Sequence, residues 1–113
     1  MKIFITGVAG FLGSHLADLM ISEGHSVAGN DNMIGGYTDN VPQNVEFYQI
    51  DCCDLENMTK AMEGCDVVYH TAATAYEGLS VFSPVLVTRN IFEASVATIT
   101  AVSYTHLTLP TTM

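Results

Sequence analysis

The residues of this chain best suited to chemistry are the three glycines of Thr6-Gly7-Val8-Ala9-Gly10-Phe11-Leu12-Gly13, and that chemistry is anion binding by main-chain amides. The GxxGxxG turn directly follows the apolar run Ile3-Phe4-Ile5 and directly precedes a helical pattern. Gly7 permits a tight exit from a strand, Gly10 lets the main chain approach a diphosphate with no Cβ in the way, and Gly13 lets the new helix pack close to the strand. Amides and the helix dipole then hold the anion, so the site needs no lysine or arginine. That suits a chain with three Lys and Arg against twelve Asp and Glu. A formal net charge of −9 argues against nucleic acid as a partner.

Elements must position this turn. Leu12, Leu16, Leu19 and Met20 recur at helical spacing and Gly24 supplies a stop, which predicts a helix of about twelve residues after the glycines. A second strand, Ser26-Val27-Ala28-Gly29-Asn30, runs up to Asp31. Asp31 lies about twenty residues beyond the glycines, where a carboxylate can accept hydrogen bonds from both hydroxyls of an adenosine ribose. A 2'-phosphate would sit against that carboxylate and no arginine is nearby, so the cofactor expected is NAD. The plain alternative is a solvated loop aspartate.

TGVAGFLGSHLAD followed by Gly29-Asn30-Asp31-Asn32-Met33 resembles the opening of an extended short-chain dehydrogenase/reductase, nearest to nucleotide-sugar epimerases and dehydratases. The resemblance runs from residue 1 to about residue 100. It implies cofactor contacts from Gly7, Gly10, Phe11, Leu12 and Gly13, and from the acid and loop Asp31, Asn32, Met33, Gly35 and Gly36. The linker from Asn32 to Asn44 passes beside the adenosine half in relatives.

Val45 to Ile50 alternates and is rich in β-formers, predicting a third strand ending at Asp51. Asp51 resembles the family's adenine-edge acid, accepting from the exocyclic amine while Cys52 offers its amide to a ring nitrogen. Alternatively Asp51 only caps the coming helix, although Asp54, just before Leu55 to Met62 and its Gly64 stop, is the better cap. The fourth strand spans Asp66 to Thr71, and the small residues after it, with Thr71, Ala72 and Ala73 as expected contacts, resemble those over which the family lays its cofactor. His70, inside a strand, reads as structural, as does His15, and the four histidines have no metal-ligand spacing.

Ser83-Pro84 opens a fourth helix by capping. It carries Asn90, which falls where epimerases place an asparagine on the cofactor side of the active site; the alternative is an exposed helical asparagine. Tyr76 lies in the preceding loop, on the substrate side in relatives, and is either a contact to a sugar ring or nicotinamide or a bare loop aromatic.

The family's Tyr-x-x-x-Lys, whose lysine lowers the tyrosine pKa for proton removal, does not occur: Thr108 stands four positions after Tyr104, and the lysines are Lys2 and Lys60. Catalytic residues are therefore expected elsewhere than in this chain. Val102 to Thr112 resembles no part of the family and is similar to the conceptual translation of a transposon-based sequencing adapter. The expected division is residues 1–101 as the N-terminal part of an NAD-binding Rossmann domain and 102–113 as a non-native tail.

The fold expected is α/β, a partial doubly wound parallel sheet in the order 3-2-1-4, truncated after its fourth helix. Its fourth strand, built to be central, would then face water. Cys52, Cys53 and Cys65 form no CxxC, no signal segment opens the chain, and no apolar stretch reaches a membrane span of roughly 18 residues, which points to a cytoplasmic protein without a membrane partner. The family resemblance implies a sugar-nucleotide substrate, hydride abstraction and return on the sugar, and a homodimer. A reductase acting on a non-sugar alcohol and a non-enzymatic NAD-sensing module are the alternatives.

Overall fold

In the computed structural model, residues 1–34, 36–72, 85 and 89–106 are described. Strand β1 (Lys2–Thr6) alternates between two cores: Ile3 and Ile5 point to one face of the sheet and Phe4 to the other. Helix α1 (Phe11–Ser22) covers the first face over Val8, Ala17, Val27 and Val45, while α2 (Leu55–Met62) and α3 (Ala94–His106) cover the second over Phe4, Ala28, Met58 and Met62. Helices therefore lie on both faces of one parallel sheet. Its strands are β1, β2 (Ser26–Asn30), β3 (Glu46–Tyr48) and β4 (Val67–His70), in the expected order β3-β2-β1-β4.

The register aligns Thr6 with Asn30 on one side and with His70 on the other, so three strands end at one level. In open α/β sheets ligands bind at that carboxyl edge. β3 is shorter than the sequence suggests. Asp31 N still donates to Tyr48 O, at 3.2 Å, but β2 turns away there and Ile50 has no ladder left to join.

Helix α2 begins at Asp54, whose side chain accepts from the Asn57 amide at 3.4 Å and from Asn57 Nδ2 at 2.7 Å. Gly64 closes it with φ +81°. Helix α1 has the twelve residues expected, and its inner face is set by small side chains. Leu12 and Leu19 are 63% and 50% exposed, whereas Gly13, Ser14 and Ala17 are buried and Leu16, Met20 and Ile21 flank them. At Gly13 the helix lies so close to the turn that a Cβ would collide with the Gly7 carbonyl.

The expected helix start at Ser83-Pro84 lies outside the described residues. A π-helical turn, Arg89–Glu93, leads into α3, which continues unbroken past Ala101 to His106. Along β4 no further strand pairs among the described residues, and Tyr69 there is partly exposed.

The two sides of this packing differ in cost. We expect Phe4→Ala, at a fully buried position, to destabilise the chain by about 3–5 kcal/mol and Leu19→Ala by less than about 1 kcal/mol, read as shifts of the urea midpoint. Equal shifts would contradict the assignment of the α1 face.

Candidate functional site

Gly7 leaves β1 with φ +71°, a region open to glycine at little cost. Its amide and that of Val8 both donate to the Asn30 carbonyl, at 2.9 and 3.1 Å. Gly10 N donates to Gly7 O at 3.0 Å, and Ala9 N to Asp31 Oδ2 at 3.1 Å. The amides of residues 7–10 are therefore spent inside the protein, and Gly7 and Gly10 contribute shape, not donors. Ser14 N is the first to find a carbonyl one turn back, that of Gly10 at 3.0 Å. Between them, the amides of Phe11, Leu12 and Gly13 meet no acceptor among the described residues. Three donors at the positive end of α1 thus converge beside the turn.

The glycines differ in what surrounds them. A Cβ on Gly13 would collide with the Gly7 carbonyl, and one on Gly7 would lie 2.8 Å from Ala72 Cα. Both are tight because the turn, the helix and the end of β4 meet there. Among the described residues, a Cβ on Gly10 would meet only Gly7 O, at 3.3 Å. That clearance is what a diphosphate requires.

Beneath the turn, Thr6 ties the strand ends together. Its Oγ1 accepts from Ala72 N at 3.2 Å and lies 2.6 Å from His70 Nδ1, and its carbonyl accepts from Thr71 Oγ1. His70 Nε2 lies 3.0 Å from Ser95 Oγ, which itself donates to Ile91 O at 2.6 Å. With the Ser95 proton spent on Ile91 O, Nε2 is the donor to Ser95 Oγ, and the neutral imidazole then accepts from the Thr6 hydroxyl at Nδ1. Partial burial holds its pKa below the ordinary 6.5. His70 thus stands as a hydrogen-bonded structural histidine, joining β1, β4 and α3. His15 Nδ1 lies 2.7 Å from Phe11 O within α1.

Asp31 sits at the rim, only 8% exposed. Its Oδ2 holds the Ala9 amide and its Oδ1 the Met33 amide, at 2.8 Å, in a turn where Met33 takes φ +69°. Each carboxylate oxygen keeps a further acceptor position. Gly36 passes close overhead: a Cβ on it would lie 3.1 Å from Asp31 Oδ2. Asn32 Nδ2 reaches Asp51 Oδ2 at 3.4 Å, while Asp51 Oδ1 accepts from Cys53 N at 2.8 Å. Asp54, not Asp51, caps α2. Cys52 is buried, which pushes its thiol pKa up, and its amide meets no acceptor among the described residues.

Gly35, Ala73 and Tyr76 lie outside the described residues, and Asn90 is placed in the π-helical turn with its side chain outside them. Thr71 and Ala72 pack against the glycine turn. Sequence reasoning passed over Thr6 and Asn30, which look like ordinary strand residues, and Asn40, whose Nδ2 bonds Ala9 O at 3.2 Å. A polar residue at the last position of each of two buried strands is the one signal that could have found Thr6 and Asn30.

The sequence profile of the NAD dependent epimerase/dehydratase family matches residues 3–108, and the chain belongs to that family. Among curated proteins, it is 37% identical over 75 residues to UDP-N-acetyl-alpha-D-glucosaminuronate decarboxylase of Bacillus cytotoxicus, a match covering 64% of this chain and 23% of that protein. Among solved structures, UDP-glucose 4-epimerase of Thermotoga maritima with UDP-glucose superposes with a TM-score of 0.90 at 30% identity, over 94% of this chain and 35% of that one. The UDP-glucose 4-epimerase of Thermus thermophilus in complex with NAD gives a TM-score of 0.85 at 33% identity, over 92% and 34%. The chain thus spans about a third or less of the length of these relatives.

Two expectations follow for stability alone. Gly13→Ala, a change that usually strengthens a helix, should here cost about 1–3 kcal/mol by overpacking, and Gly10→Ala about 1 kcal/mol or less, as measured by urea unfolding. Because folding lowers the His70 pKa, the unfolded chain binds more protons below pH 6.5. Stability should be full above that pH, fall as pH drops through it, and level off below the depressed folded value. Urea midpoints at about pH 5 and about pH 7.5 should differ less in His70→Gln than in the parent; an unchanged difference would contradict this.

Proposed function

We propose that this chain is the NAD-holding portion of an epimerase or dehydratase that removes hydride from a sugar-nucleotide carbon and returns it. The observation that carries the reading is that the amides of Phe11, Leu12 and Gly13, beside the clearance at Gly10, meet no acceptor among the described residues, with Asp31 at the next strand end. The amides and the α1 dipole hold the diphosphate, Gly7, Gly10 and Gly13 shape its seat, and Thr71, Ala72 and Ala73 form the adjoining wall. Asp31 accepts from the adenosine ribose, while Asn32, Met33, Gly35 and Gly36 shape the loop beside it. Asp51 and Cys52 read the adenine edge. Asn90 and Tyr76 face the nicotinamide and sugar side.

NAD, when bound, supplies the hydride acceptor. The relatives' names support a UDP-sugar as the substrate class. Proton transfer at the sugar belongs to groups other than those of this chain, which holds no Tyr-x-x-x-Lys. In this reading residues 1–101 carry the cofactor contacts and 102–113 carry none; the enzyme works in the cytoplasm as a homodimer.

Titration of the chain with NAD and NADP tests the site. Asp31→Ala should weaken NAD by roughly tenfold or more while changing NADP less, because the lost acceptor serves a 2'-hydroxyl and repels a 2'-phosphate. Gly10→Val should abolish binding of both. Equal losses at Asp31, or retained affinity with Val at position 10, would overturn the assignment.

A further inference from the structure

Asn30 is the last residue of β2, 1% exposed, between the two acids of the rim. Its Nδ2 donates to Ile50 O at 2.9 Å and lies 3.5 Å from Cys52 Sγ, which fixes the amide's orientation: turned over, it would set oxygen against the Ile50 carbonyl. Its Oδ1 is buried with no hydrogen-bond partner among the described residues. An apolar side chain would avoid leaving that oxygen unsatisfied, so the amide's contribution lies in what its donor holds.

What it holds is the segment beyond β3. The ladder to β2 stops at the bond from Asp31 N to Tyr48 O, and from there the Asn30 side chain bridges β2 to residues 50–52. On that segment an acceptor, the Asp51 carboxylate, stands next to a donor, the Cys52 amide, which meets no acceptor among the described residues. Acceptor beside donor is the complement of adenine's amine and adjacent ring nitrogen. We infer that Asn30 is a positioning residue that sets the Asp51–Cys52 turn for adenine and thereby selects adenine over a purine with the opposite edge. The inference rests on the adenine role of Asp51 and Cys52 in the proposed function. It adds a residue that touches no ligand.

The experiment compares NAD with nicotinamide hypoxanthine dinucleotide, in which a carbonyl replaces the amine and the neighbouring nitrogen carries a proton, by calorimetric titration of the full chain. The parent should prefer NAD by roughly tenfold or more. Asn30→Leu should bring the ratio close to one, and Asn30→Ser, which is too short to reach Ile50 but adds no bulk, serves as a second variant should the leucine not fold. A merely structural role would lower both affinities together and keep the ratio, which would overturn the inference. Asp51→Ala separates the two levels. If it erases the preference while both Asn30 variants keep it, the adenine reading stands and the role of Asn30 falls; if it leaves the preference intact, or the parent shows none, the adenine reading fails and the inference with it.

Discussion

Everything at the carboxyl edge of this sheet depends on how closely three stretches of main chain approach one another around Gly7. The Asn30 carbonyl takes two amides from the turn, Gly7 O takes one from Gly10, and the Ala72 main chain presses where a Gly7 side chain would be. With hydrogen-bond donors and acceptors this near, no residue larger than glycine fits at positions 7 and 13 without moving backbone. The same crowding brings the start of α1 up against the turn, where a Cβ on Gly13 would collide with the Gly7 carbonyl. Once residues 7–10 have satisfied themselves internally, the amides of Phe11, Leu12 and Gly13 are the ones left without an acceptor among the described residues.

This solves an electrostatic problem. A chain of net charge −9 repels an anion at long range, and salt screens that repulsion beyond a Debye length of about 8 Å. At contact, the fixed amide dipoles of a helix N-terminus attract an anion whatever the sign of the net charge. The charge of Asp31 is met on both oxygens by main-chain donors, Ala9 N on Oδ2 and Met33 N on Oδ1.

Most of the fold was legible because each element carried a local signature that its environment did not override. β2 and α2 occupy the spans read from sequence, since Ser26–Asn30 is bounded by turn residues and Leu55–Met62 by Asp54 and Gly64. The glycine turn was legible for the same reason. Two failures share a cause: they concern tertiary distance. Nothing in the spacing of Leu12 and Leu19 reveals which face of α1 meets the sheet, and nothing in Val45–Ile50 reveals that β2 leaves the sheet at Asp31 and ends the ladder early. Within the site, sequence reasoning named the acids but not their supports. Thr6 and Asn30 read as strand residues because their function lies in partners 64 and 20 residues away.

Asp31 shows why stability and specificity are hard to separate at such an edge. Its carboxylate braces the glycine turn through Ala9 and the following loop through Met33, so its removal disturbs both together. Loss of affinity after substitution there says little by itself, whereas a change in the ratio between two nucleotides isolates the direct contact, because a distorted turn weakens both alike. The same holds for any side chain that both fixes main chain and faces ligand. Where a fold spends its own acceptors to build the cradle, the informative quantity is discrimination between ligands that share the seat and differ at one edge.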